Sequence, residues 1–273
     1  MPADALVLAL GSAFVHALWN ILLARPRDPE AGAAVVFLAG GLAFAPVAAL
    51  TWDVEAAVWP WALASALLET LYIGLLAAAY RRADVSLIYP IARGTAPVLV
   101  LLVGIVALAR ESSPSQIAGV LLVGAGILLV RGLRRPADWT GVMLGLAVAS
   151  CIAAYTLVDK EGVRYASATA YVELVTFPPA LVYAAYVVGR KGRASVRAEI
   201  RPVAVIAGIG VFTAYTLVLA ALQRASAAAV AAVRETSVVI ATVFAAGVLK
   251  ESVGWGRFAG AALVAGGVAL ISL

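Results

Sequence analysis

From Ser86 to Leu108 the chain reads SLIYPIARGTAPVLVLLVGIVAL, and apolar runs of similar length follow one another to its end with only short polar breaks. A bilayer core about 30 Å thick takes about 20 helical residues per crossing. Runs such as IAGVLLVGAGILLV show none of the polar–apolar alternation that a membrane β-barrel strand needs, so they read as helices. The 273 residues are 64% hydrophobic and 13% charged, whereas soluble domains are about half apolar and about a quarter charged. A water-soluble fold is excluded. The pattern predicts an all-α polytopic membrane protein of roughly ten helices, with almost nothing left for a soluble domain.

Polar punctuation places the helices at about 4–24, 32–51, 60–80, 84–109, 115–131, 139–159, 167–189, 202–223, 225–249 and 255–273. The start, MPADALVLALGSAFVHALWNILLAR, lacks a basic leader and reads as a retained first helix. The net charge of +5 is carried mainly by connections between helices, which suits membrane anchoring and orientation better than nucleic-acid binding. Cys151 is the single cysteine, so an internal disulfide and a multi-cysteine metal site are excluded. No cofactor or metal is expected.

The stretch RGLRRPAD, Arg131 to Asp138, falls near the midpoint and separates two similar halves, 1–136 and 137–273. RRADVSLIYPIARGTAPV resembles QRASAAAVAAVRETSVV, and ARESSPSQIAGVLLVGAGILL resembles LKESVGWGRFAGAALVAGGVAL, at a constant shift of about 140 residues. Five spans per half is an odd number, so the second copy is expected upside down relative to the first. Odd-numbered connections carry roughly fourteen Lys and Arg and even-numbered ones roughly four, which predicts cytoplasmic odd connections and termini outside.

With HALWN in the first helix, the two A-x-R-x-T/S-type segments and the repeated E-S…G…G-x-G segments opening at Glu111 and Glu251, the chain resembles ten-helix members of the drug/metabolite transporter superfamily, EamA type. The resemblance spans essentially the whole chain. It implies two inverted five-helix halves around a central cavity, moving small metabolites by alternating access. The expected location is a cell membrane of the bacterial inner-membrane kind. Small multidrug members of that superfamily use a first-helix glutamate; here the first helix offers His16 and Asn20, which argues against polyaromatic-cation antiport. Relatives often have cytoplasmic termini, in conflict with the charge count.

Ionisable residues inside a span cost a few kcal/mol or more and normally face a cavity or a partner. Those within the expected spans are Glu69, Arg93, Glu173, Arg234 and Glu235, with His16 as a titratable addition. Arg93 and the Arg234–Glu235 pair fall at equivalent repeat positions, which an inverted duplication would bring to one site. Ser86, Tyr89, Arg93 and Pro97 share a helical stripe, and Pro90 and Pro97 predict an interrupted fourth helix facing a wet cavity. Arg93 contacts a substrate carboxylate or phosphate, pairs with Glu69, Glu173 or Glu235, or snorkels toward the interface. Ser65, Glu69 and Tyr72 share a stripe, where Glu69 is a proton carrier, an ammonium ligand or an ion-pair partner. Arg234 with Ser237 forms one face and Glu235 points away from it. Glu173 with Thr176 and Phe177 is a similar candidate. His16 is a second candidate for proton coupling; its alternative is a hydrogen bond between helices. Trp19, Tyr72, Tyr89, Tyr155, Tyr171 and Tyr215 either line a site or pack. The glycines of GVLLVGAG and GAALVAGG are helix-packing residues and not phosphate loops.

Cations and anions together in one cavity suit a zwitterionic or anionic metabolite, with an amino acid or its derivative the first expectation, moved outward and driven by protons. Without an ATP-binding motif, direct ATP drive is not expected. A transporter of lipid-linked sugar or phosphorylated solute, flippase-like, is the alternative. An intramembrane enzyme is a further one, but a single His and a single Cys offer no nucleophile–base or metal constellation. The partners expected are a small-molecule substrate, the lipid bilayer and protons, with no nucleic acid.

Overall fold

The computed structural model describes residues 1–22, 27–82, 85–131, 139–247 and 255–273. Eleven α-helices lie among them: α1 (Ala3–Leu22), α2 (Pro29–Leu50), α3 (Trp59–Arg82), α4 (Val85–Val106), α5 (Pro114–Arg131), α6 (Trp139–Gly162), α7 (Ala168–Ala198), α8 (Pro202–Leu222), α9 (Ala227–Arg234), α10 (Thr236–Gly247) and α11 (Trp255–Ser272). Helices α2, α3, α4, α6, α7 and α8 are long and apolar enough to cross a membrane, and α1, α5 and α11 hold shorter apolar stretches. The β contact among the described residues is an isolated bridge between Val54 and Ala166. Most of the RGLRRPAD connection lies outside the described residues.

Capping side chains start several of these helices. Asp28 accepts from the Glu30 and Ala31 amides ahead of α2, Ser167 from Ala170 ahead of α7, and Ser226 from Ala229 ahead of α9. Three elements differ from the sequence expectation. Helix α6 continues past 159 to Gly162, which draws Asp159 inside it. Helix α7 continues past 189 to Ala198, bending at Gly192, whose φ of +81° is a conformation that glycine adopts without strain. Helix α4 is uninterrupted in spite of Pro90 and Pro97, and the break falls instead in its repeat equivalent, between α9 and α10. There the Glu235 amide turns to the Ala232 carbonyl, 3.1 Å away, and the Thr236 hydroxyl donates to Val233 O at 2.8 Å. A side chain competing for a helical carbonyl is a known source of local helix irregularity.

Eight segments close into a ring. Going round it, α1 packs on α8, α8 on α2, α2 on α7, α7 on α3, α3 on α6, α6 on α4, α4 on α9, and α9 with α10 back on α1. First-half and second-half helices alternate throughout. Each contact has a mate generated by exchanging the halves: α1 with α8 mirrors α6 with α3, and α2 with α8 mirrors α7 with α3.

Helices α5 and α11 form a pair beside the ring, against α4 and α10. Gly119 lies against Gly267, and Gly126 against Gly260, so the register runs in opposite directions on these equivalent helices. The second half is therefore inverted. A Cβ on Gly119 would come within 2.6 Å of the Gly267 carbonyl oxygen, and one on Gly126 within 2.7 Å of that of Gly260. Such backbone approach is possible only for glycine.

The symmetry reaches single hydrogen bonds. Ser12 Oγ donates from α1 to Ala214 O of α8 at 2.7 Å, and Cys151 Sγ donates from α6 to Leu68 O of α3 at 3.1 Å. At one end of the bundle the Met1 amine donates to Ile271 O, Arg224 pairs with Asp4, and Gln223 bonds Val163 and Ala166. At the other end Lys191 bridges Asp28 and Glu30, while buried Glu199 accepts from the Arg27 and Asp28 amides and pairs with Arg201.

Candidate functional site

Polar side chains from seven of the ring's segments meet in its interior, in two clusters. The lipid-facing stripe of α3 carries the exposed Leu63, Leu67 and Leu71, and Ser65, Glu69 and Tyr72 lie on the opposite face of that helix. Hydrocarbon cannot solvate these groups, so their hydrogen bonds must be found inside the ring.

The first cluster joins α4, α9 and α1. Arg93 is only 8% exposed; its Nη1 donates to Glu235 Oε1 at 3.0 Å and its Nη2 lies 3.1 Å from His16 Nε2. A guanidinium only donates, so His16 Nε2 accepts and the imidazole is neutral, with its hydrogen on Nδ1. In this arrangement His16 carries no extra proton. Trp19 packs edge-on to His16 with ring centroids 5.0 Å apart, and Tyr89 lies 5.7 Å from the Arg93 guanidinium carbon.

The helix break places Arg234 and Glu235 differently. Glu235 is buried and holds Arg93 with one oxygen, while its other oxygen, Oε2, is buried with no donor among the described residues. Arg234 is half-buried and makes no hydrogen bond or ion pair among the described residues, although its charge reaches His16, Glu69, Tyr72, Tyr155 and Asp159. Both residues line a cavity of about 10 Å³ shared with Pro97 of α4 and Ile152 and Thr156 of α6, room for about one water molecule.

The second cluster joins α3, α6, α7 and α8 around Asp159, which is 0% exposed. Asp159 Oδ1 accepts from Ser65 Oγ at 2.5 Å and from the Tyr171 hydroxyl at 3.2 Å. Its Oδ2 lies 2.5 Å from the Tyr215 hydroxyl, which is also 3.0 Å from Glu69 Oε1. Tyr72 and Tyr155 meet between the clusters, T-shaped, with centroids 5.9 Å apart.

The structure thus brings together His16, Glu69, Tyr72, Tyr89, Arg93, Arg234 and Glu235 of the sequence candidates. Ser237 is buried one turn beyond Arg234. Glu173 stands half-buried on α7; among the described residues its Oε1 has no donor, the buried Thr176 hydroxyl one turn on has no partner, and no ion pair joins Glu173 to either arginine. The Trp19 indole nitrogen is likewise buried without an acceptor among the described residues. The side chain of Asn20 lies outside the described residues, as does Glu251, while Glu111 is exposed on the connection between α4 and α5. Sequence reasoning missed Asp159, because DKEG reads as a polar helix end. The repeat offers a signal: shifted by about 140 residues, Asn20 of HALWN falls within one residue of Asp159.

Comparison with other proteins bears on this arrangement. A crystal structure of another protein, 17% identical in sequence, superposes with a TM-score of 0.75 over 97% of this chain and 94% of that one. At that identity it speaks for the fold alone. A search of curated proteins finds no match. The model of the EamA-like transporter family, a family of membrane transporters of small solutes, matches twice, over residues 4–132 and 139–273. With essentially its whole length matched, one copy in each half, the chain belongs to the EamA-like transporter family.

Proposed function

We propose that this transporter moves a small zwitterionic or anionic metabolite, first of all an amino acid or a derivative, outward by alternating access. Glu235 is the observation that supports this reading. One of its oxygens is held by Arg93, and among the described residues the other is buried without a donor and Arg234 beside it has no partner. A zwitterion supplies what each lacks. Its ammonium donates to Glu235 Oε2, and its carboxylate takes the planar fork of Arg234 or displaces Glu235 from Arg93. Two arginines against one glutamate leave the cluster net positive, so a carboxylate is favoured over a plain cation. We also infer, from the charge of the connections, that both termini of this multi-pass protein lie outside, and we propose a bacterial-type inner membrane as its location.

Counterflow of labelled amino acids in proteoliposomes tests the reading. Uptake of some of them against an excess of the same unlabelled solute, greatly reduced in Arg234→Ala, is the expected result. Movement of lipid-linked phosphates alone would favour the flippase-like alternative. Hydrolysis of lipid or peptide with no solute movement would replace transport by an enzymatic role.

A further inference from the structure

We propose that Glu69, Tyr215 and Asp159 share one proton and form a proton-loading site apart from the Arg93–Glu235 pair; the inference rests on the transporter reading and supplies its driving ion. The argument is a count of hydrogens. The Tyr215 hydroxyl stands within hydrogen-bond distance of two carboxyl oxygens, Glu69 Oε1 and Asp159 Oδ2, and a phenol has a single hydrogen to donate. With both carboxylates ionised, one contact would set two oxygens against each other with no hydrogen between them. One carboxyl must therefore carry a proton and donate it to the tyrosine oxygen.

The surroundings decide which. Asp159 is fully buried and also accepts from Ser65 and Tyr171, a donor set that favours the anion. Among the described residues Glu69 is hydrogen-bonded to Tyr215, and it keeps partial exposure on the interior face of α3. The proton resides on Glu69 Oε1, and the chain runs from Glu69 through Tyr215 to Asp159. The other titratable or charged groups acting on the cluster are Arg234 from α9, Tyr171 from α7, Cys151 and Tyr155 from α6, and Tyr72 from α3.

Release breaks the Glu69 O–H bond and passes the proton to water entering the ring. Two carboxylates then compete for one phenol hydrogen, and the Glu69 contact to Tyr215 weakens. Glu69 on α3 and Tyr215 on α8 come from opposite halves and are not neighbours in the ring, so this bond spans its interior. Its gain or loss couples protonation to the separation of the two helices.

Infrared difference spectroscopy on the purified protein during a pH titration reads the proton directly. A protonated-carboxyl band is expected near neutral pH, absent in Glu69→Gln and shifted in Tyr215→Phe, where the hydroxyl is deleted. In proteoliposomes the reading is the ratio of transport with and without a pH gradient, expected to be several-fold in the wild type and to fall to about one in Glu69→Gln. A change in basal rate does not enter that ratio. Absence of the band, or its persistence in Glu69→Gln, overturns the proposal, as does drive by a sodium gradient with none by protons. Wild-type counterflow, which needs no net proton movement, is measured alongside. Failure of counterflow with the band present would count against the transporter reading and leave the shared proton standing.

Discussion

Arg93 of the first half and Glu235 of the second face each other at 3.0 Å, at adjacent positions of the internal repeat, so the ion pair lies across the boundary between the two copies. Both side chains are almost wholly withdrawn from solvent. Breaking such a pair leaves a buried charge without a counterion, which costs about 3–5 kcal/mol. Arg93→Ala is expected to lower the thermal midpoint strongly, and adding Glu235→Ala to recover at least half of that loss. A double-mutant cycle on detergent-solubilised protein measures the coupling.

Arg234 should behave in the opposite way. It makes no ion pair among the described residues, so Arg234→Ala is expected to change stability by less than about 1 kcal/mol while abolishing most transport. Thermal unfolding and counterflow on the same preparation separate the two effects.

Backbone approach between α5 and α11 predicts a sharp position dependence for glycine substitutions. Gly126→Val would force side-chain carbon against the Gly260 carbonyl and is expected to cost at least about 1–3 kcal/mol. Gly104→Ala, where nothing lies within 4 Å of a new Cβ, is the control and should be near neutral. Urea or thermal melts of the pair check the contrast.

The matched bonds from Ser12 and Cys151 should differ in strength because a thiol is a weak donor. Ser12→Ala is expected to lose about 1 kcal/mol and Cys151→Ala less, while Cys151→Ser should equal or exceed the wild type. Melting temperatures of the three variants decide it.

Asp28 gives a pH dependence at the bundle end. The hydrogen bonds from Lys191 first, and from the Ala31 and Glu30 amides, hold its carboxyl below the ordinary aspartate value of 3.8. A depressed folded-state value means the stabilisation is fully present above 3.8 and is lost as the pH falls through the folded value. Acid melts below about pH 4 should show a decline that Lys191→Met makes shallower.

The all-helical membrane architecture, the approximate limits of most helices and the inverted repeat were legible because bilayer thickness and hydrophobicity act on every residue of a span. Arg93 and Glu235 stood out as charges inside apolar runs for the same reason. Asp159 did not, since it closes an apolar run beside Lys160 and Glu161, and only tertiary packing carries α6 on to Gly162. Prolines misdirected the expectation of a broken helix. Helix α4 tolerates Pro90 and Pro97, whereas Thr236, an unremarkable residue in the sequence, takes the Val233 carbonyl where α9 ends. The tie of Tyr215 to both Glu69 and Asp159 joins residues far apart in the chain, and nothing in a local window announces it.

Strict alternation of first-half and second-half helices around the ring limits how the molecule can move. A rocking motion that kept each sequence half rigid would have to slide every lateral seam at the same time. Bodies that hinge cheaply must instead be arcs of neighbouring helices, each stitched from both copies and parted at only two seams.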